Sequence, residues 1–123
     1  MESLTALAAP AIVRSIDWSA DREVVDVGVG HGALLAEVMV ANPGVRGVLF
    51  DLPHALDGAR ARLSARGVAD RSRFQAGDFF RDLPPGATTY LLKTVLHDWD
   101  DARALAILRT CRSVLSADAR VLV

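Results

Sequence analysis

Hydrophobic and polar positions along this chain follow two rhythms that take turns. Runs of β-branched and aliphatic residues mark buried strands, at about 23–28 around Val24, Val25 and Val27, and at Arg46-Gly47-Val48-Leu49-Phe50 ending on Asp51. Further runs fall at about 72–76, at Thr89-Tyr90-Leu91-Leu92-Lys93, and at Arg120-Val121-Leu122-Val123. Between them, apolar residues recur at helical spacing over about 31–41, 54–66 and 101–115. An earlier helical pattern, Leu4, Leu7, Ala8, Ala9, Ile12, Val13 and Ile16, is interrupted by Pro10 and runs into the polar turn Ser19-Ala20-Asp21-Arg22. Punctuation agrees with this division. Asn42-Pro43-Gly44 ends the first long helix, Pro53 sits where the next begins, and Gly67 is a natural stop for it. Pro84-Pro85-Gly86 makes a turn before the fourth strand. Strands alternating with helices predict an α/β fold, a doubly wound parallel sheet of about five strands with right-handed crossovers.

Composition narrows the class without naming a function. With 123 residues the chain is one domain in size, and 51% hydrophobic with 24% charged residues is ordinary for a packed core. A net charge of −1 offers no footprint for nucleic acid or an anionic membrane surface. No apolar run reaches the roughly 18–20 residues needed to cross a bilayer, and acidic Glu2 with no basic segment argues against a signal peptide. Cys111 is the only cysteine, so an intramolecular disulfide or a cysteine-rich metal site is excluded; its place among helical apolar positions makes it a small core residue. The expectation is a cytoplasmic protein with no metal. Thirteen of the fourteen basic residues are arginine, which singles out Lys93 as the one lysine.

Candidate chemistry gathers at the strand ends. Val24-Val25-Asp26-Val27-Gly28-Val29-Gly30-His31-Gly32 is a strand running into a glycine turn, with Ala33 opening a helix. Glycines there supply positive φ and no Cβ, so a ligand can approach the backbone. Asp51 closes the second strand 21 residues after Gly30, where an acidic residue can accept both hydroxyls of an adenosine ribose; otherwise it caps the helix after Pro53. On these features a nicotinamide dinucleotide would fit, because Gly28-x-Gly30-x-x-Ala33 matches the dinucleotide fingerprint. Gly77-Asp78-Phe79-Phe80 follows the third strand: Asp78 can accept from an exocyclic adenine amine and Phe79 offers a ring face, or the pair is a turn aspartate beside core phenylalanines. Beyond the fourth strand lies Lys93-Thr94-Val95-Leu96-His97-Asp98-Trp99-Asp100-Asp101. His97 is a general-base candidate, since imidazole titrates near neutrality; Asp98 is a candidate cap for the Asp100-Asp101 helix start, and Trp99 walls the site or packs.

Taken together, Val25 through Gly32, Asp51-Leu52-Pro53, Gly77 through Phe80 and Leu92-Lys93 through Leu96-His97-Asp98-Trp99-Asp100-Asp101 resemble the cofactor domain of S-adenosylmethionine-dependent O-methyltransferases of the caffeate and chalcone type, nearest to bacterial relatives in aromatic polyketide tailoring. The likeness covers about residues 16–123, and Val29 departs from it where relatives commonly carry glycine. It implies a class I methyltransferase sheet in the order 3-2-1-4-5 with its last strands missing. It implies a helical linker at 1–20 from an N-terminal dimerisation domain, followed by a partial cofactor domain at 21–123. It further implies roles: Gly28 and Gly30 at the cofactor backbone, Asp51 on the ribose, Asp78 and Phe79 on the adenine, Lys93 in the cofactor site, and His97 as base for a substrate hydroxyl. The acceptor would be a small hydroxylated aromatic, without nucleic acid or membrane partners, and the full-length parent a homodimer. Two alternatives remain beside methyl transfer: a truncated remnant that at most binds S-adenosylmethionine, and a domain of a nicotinamide-dependent oxidoreductase.

Overall fold

The computed structural model describes residues 10–28, 32–92 and 100–122. Residues 10–14 are helical (α1), and five strands follow: β1 (Glu23–Val27), β2 (Arg46–Asp51), β3 (Ser72–Ala76), β4 (Thr89–Leu91) and β5 (Arg120–Leu122). Helices α2 (Ala33–Ala41) and α3 (Pro53–Ala65) connect the first three strands, with a 3₁₀ turn at Ala69–Arg71, and α4 (Asp101–Val114) precedes β5. All pairings are parallel and the order is β3-β2-β1-β4-β5. The sequence expectation of a doubly wound sheet holds, and β1 to β5 and α2 to α4 lie within a residue or two of their expected spans, while the 3₁₀ turn at Ala69–Arg71 was not expected. β1 stops at Val27 because Gly28 turns the chain with φ 68°. β4 is shorter than expected, ending at Leu91, although the Leu92 N–H still donates to the Leu122 carbonyl at 2.8 Å.

The sheet is covered on both faces, which explains why β1 reads as almost unbroken valine. Register puts Val24, Leu49 and Leu91 on the face shared with α2 and α3, where Leu35, Met39, Ala59 and Leu63 complete one buried layer. Val25, Val27, Val48, Phe50 and Tyr90 pack on the opposite face with Leu83, Ala87 and, from α4, Ile107 and Cys111. Cys111 is buried as expected, and that burial raises its thiol pKa to about 11. Two long-range arginines fasten the layers. Arg71 donates to the carbonyls of Met39, Pro43 and Val45 at 2.8, 3.0 and 2.6 Å, meeting acceptors left open where α2 ends. Arg66, after α3, forms a two-pronged pair with Glu37 of α2 at 2.9 and 3.0 Å.

At the amino edge of the sheet sits a polar clamp. Asp21, buried just before β1, accepts from the hydroxyls of Thr88 and Thr89 at 2.7 and 2.6 Å and from Arg120 of β5 at 2.8 Å. Arg120 also donates to Thr89 Oγ1 and to the Asp17 carbonyl, and its guanidinium lies over the Trp18 ring. One carboxylate thereby ties the entry to β1, the start of β4 and the start of β5.

Candidate functional site

Chain order makes the carboxyl edge the candidate site. The chain winds outward from β1 to β2 and β3, then returns to place β4 on the other side of β1, so the winding direction reverses at β1. Open parallel sheets leave a crevice at such a reversal, outside the carboxyl ends of the strands. The residues at that edge are Gly28 after β1, Asp51 at the end of β2, and Gly77-Asp78-Phe79 after β3.

Gly28 and Gly32 both adopt positive φ, 68° and 73°, and bracket the turn between β1 and α2. The Gly28 N–H donates to the Phe50 carbonyl at 3.0 Å, which pins the start of the turn to β2. Gly32 precedes α2 with no side chain capping that helix, and the Leu63 side chain packs so near that a Cβ there would have to displace it.

Asp51 is half-buried, and one carboxylate oxygen accepts from the Leu52 N–H at 2.7 Å. The helix-capping alternative for Asp51 fails: α3 is preceded by Leu52 in extended conformation, no side chain caps it, and Pro53 supplies its preorganised first residue. The second oxygen accepts no hydrogen bond from the described residues. Beside it, Leu52 is 50% exposed, an apolar residue standing at the same edge.

Asp78 is exposed, with one oxygen accepting from the Phe80 N–H at 2.9 Å and the other 3.8 Å from Arg81 Nε. This is the geometry of an aspartate turn. Phe79 is buried, with its ring 5.1 Å from that of Phe80 at 55°. Gly77 matters for packing: a Cβ there would overlap the Phe50 ring, so only glycine lets the chain pass over β2 at this point. Sequence reading had no signal for that contact.

Asp26 is the unexpected member. Its partners in register are Leu49 and Leu91, which places it on the α2 face, within the central strand and 7% exposed. Burial pushes its carboxyl well above the usual carboxylate range, with the nearby Asp51 charge adding to the effect. The sequence marked Asp26 only as the residue before the glycines.

Gly30, Lys93, His97, Asp98 and Trp99 lie outside the described residues. The cap of α4, expected from Asp98, is made by Asp100, whose Oδ1 accepts from the Arg103 N–H at 2.9 Å. Among the described residues no cluster of histidine, cysteine and carboxylate could hold a metal, and no helix is long and apolar enough to cross a membrane. The edge thus offers carboxylate acceptors over β2 and β3 and side-chain-free backbone over β1. That arrangement suits an elongated ligand with a hydroxylated, nitrogen-bearing end.

Comparison with known proteins gives this edge its context. The O-methyltransferase domain model matches residues 1–123. The chain is 50% identical over 107 residues to the O-demethylpuromycin-O-methyltransferase of Streptomyces alboniger, covering 87% of this chain and 28% of that protein. It is 44% identical over 117 residues to the aclacinomycin 10-hydroxylase of Streptomyces purpurascens, covering 95% and 31%. Among solved structures, an O-methyltransferase from neocarzinostatin biosynthesis, in complex with S-adenosylmethionine and 2-hydroxy-5-methyl naphthoic acid, superposes with a TM-score of 0.87 at 36% identity, covering 98% of this chain and 38% of that one. The chain spans about a third of the length of the curated relatives it matches. With the family model matched over residues 1–123 and the sheet order shared, the chain belongs to the O-methyltransferase domain family.

Proposed function

We propose that this chain is the methyl-donor domain of an S-adenosylmethionine-dependent O-methyltransferase acting on a small hydroxylated aromatic. The observation that carries the reading is the edge itself: Gly28 at positive φ, Asp51 ending β2 without capping α3, and Asp78-Phe79 beyond β3, in a chain of this family. Residues 1–20 serve as a helical linker, residues 21–123 as the donor domain, and the longer protein pairs as a homodimer. Gly28 and Gly30 let backbone meet ligand, Asp51 accepts the ribose hydroxyls, and Asp78 with Phe79 takes the adenine. Lys93 completes the donor site. When bound, the donor supplies an electrophilic sulfonium methyl.

His97 removes the proton from the acceptor hydroxyl. A phenol has a pKa of about 10 against about 6.5 for histidine, so proton transfer is uphill before the methyl moves. The protein's larger contribution is alignment of the attacking oxygen with the methyl carbon and sulfur. The fit to the donor rests on the chemistry of the edge: carboxylate acceptors for hydroxyls and an amine, and no side chain at Gly28.

The relative named as a hydroxylase favours a second reading, in which the same scaffold serves oxygen insertion. One experiment addresses both. The chain is titrated calorimetrically with S-adenosylmethionine and with NADH, and then incubated with a panel of phenols while product mass is followed. Donor binding without NADH binding, and products heavier by one CH₂, support methyl transfer. Products heavier by one oxygen favour the second reading, and NADH binding alone would return the chain to the oxidoreductase class. In an active protein, His97→Ala is expected to lower turnover roughly hundredfold while leaving donor affinity nearly unchanged. Equal turnover removes His97 from the chemistry.

A further inference from the structure

Two hydroxyl groups, from the elements that follow it in the chain, reach the loop between β3 and β4 that carries Asp78 and Phe79. Tyr90 of β4 is fully buried, and its OH donates to the Pro84 carbonyl at 2.6 Å. Thr110 of α4 is 7% exposed, and its Oγ1 lies 3.1 Å from the Phe80 carbonyl. The same hydroxyl is 3.0 Å from the Ala106 carbonyl, one turn back in its own helix. A hydroxyl carries a single proton to donate. The Ala106 carbonyl receives the Thr110 N–H within α4, so the hydroxyl proton gains most on the loop.

Phe80 is thereby held on both sides. Its N–H donates to Asp78 Oδ1 at 2.9 Å, and its carbonyl faces Thr110. The Arg81 and Asp82 N–H groups both donate to the Asp78 carbonyl at 3.0 Å, which closes the loop into a turn. Such a turn sets its own shape but not its placement on the protein. The Phe79 ring anchors it in the apolar layer that Ile107 and Cys111 of α4 complete, and burial of that kind has no direction. The bond from Thr110 supplies direction. We propose that Thr110 is a positioning residue for Asp78, which acts through the Phe80 backbone to aim the carboxylate at the adenine amine and so sets affinity for that end of the donor. This rests on the donor reading given under Proposed function. Tyr90 is the internal contrast. Its bond is the shorter and the more buried, but it meets the loop at Pro84, six residues beyond Asp78.

The test is calorimetric titration with S-adenosylmethionine and with adenosine, which share the adenine end. Thr110→Val keeps the shape and removes the donor. Affinity for both ligands should fall roughly three- to tenfold, the worth of one hydrogen bond. Thr110→Ser restores the hydroxyl and should bind within about twofold of the parent chain. Tyr90→Phe should lower Tm more than Thr110→Val does, yet leave affinity within about twofold of the parent. In an Asp78→Ala background, Thr110→Val should cause no further loss of affinity, because Thr110 acts through that carboxylate. Should Thr110→Val unfold the chain, Thr110→Ala removes the same donor without setting a methyl group against the Phe80 carbonyl, and the same comparisons apply. Parent-like affinity in Thr110→Val, affinity that follows Tm across these substitutions, or additive losses in the double variant each overturn the proposal. A parent chain that binds no S-adenosylmethionine, or an Asp78→Ala variant that binds it like the parent, is a different failure: it removes the donor reading, and this proposal with it.

Discussion

The two edges of this sheet hold similar residues in opposite circumstances. At the amino edge, buried Asp21 is fully engaged, accepting from Thr88, Thr89 and Arg120 at 2.6–2.8 Å, and the guanidinium is itself stacked on Trp18. At the carboxyl edge, Asp51 and Asp78 each hold one backbone N–H of their own turn, and Asp26 is buried among aliphatic side chains. A carboxylate whose acceptor sites are filled contributes to holding the fold. One that holds only the N–H of its own turn contributes little to the fold and has acceptor capacity to spare, which the proposed donor site would use. Polar stabilisation is thus concentrated at the amino edge, whereas the carboxyl edge carries the proposed binding residues.

The sharpest way to break this contrast is Asp21→Ala. It strips Arg120, Thr88 and Thr89 of a shared acceptor and separates the entry to β1 from β4 and β5. A loss of about 2–4 kcal/mol in unfolding free energy is expected, short of the full cost of breaking a buried pair because Arg120 is partly exposed. Urea titration followed by circular dichroism measures it. A change below about 0.5 kcal/mol would mean that the amino edge carries no special share of stability.

Asp51→Ala tests the other edge and should give the reverse pattern. Its carboxylate caps no helix and holds only the adjacent Leu52 N–H, so stability should move by less than about 0.5 kcal/mol. Affinity for S-adenosylmethionine should fall at least tenfold, or about 1.4 kcal/mol, for the loss of charge-assisted hydrogen bonds to the ribose. Calorimetry on a variant with an unchanged Tm reads both quantities. Unchanged affinity would move the ribose site away from β2.

These two aspartates also show what the sequence could and could not carry. Asp51 was legible as the end of a strand at the candidate edge because its signals are local: an apolar run, Val48-Leu49-Phe50, before it, Pro53 after it, and Gly30 of the glycine turn 21 residues earlier. The elements themselves were legible for the same reason, since buried parallel strands, helical spacing and Gly or Pro stops all act within a few residues. The clamp was not legible. Asp21 meets Thr89 and Arg120 across 68 and 99 residues, and nothing near Asp21 distinguishes it from a surface turn aspartate. Arg71, reaching back to the end of α2, was hidden likewise. Asp26 was misleading in a different way: a charged letter in a valine strand gives no sign of which face it occupies. Only the register with Leu49 and Leu91 shows that it is buried.

The effect that bears most directly on the contrast is a change in Asp26 on stability without ligand. Its folded-state pKa is raised, so between the unfolded carboxylate value and the raised one the folded chain binds more protons than the unfolded chain. Unfolding free energy therefore falls as pH rises through that window, and above it the full cost of ionising a buried carboxyl is present. Asp26→Asn keeps the shape and removes the ionisation. The variant should have a higher Tm than the parent chain at neutral pH, and the gap should close as pH falls toward the ordinary carboxylate range near 4. Thermal unfolding at a series of pH values reads the gap directly. If Asp26→Asn instead lowers Tm at neutral pH, the carboxylate is stabilised where it stands, and the carboxyl edge is held together in the same manner as the amino edge. If the gap follows the expected sign, Asp26 costs stability where it stands, the opposite of Asp21 in its clamp at the amino edge.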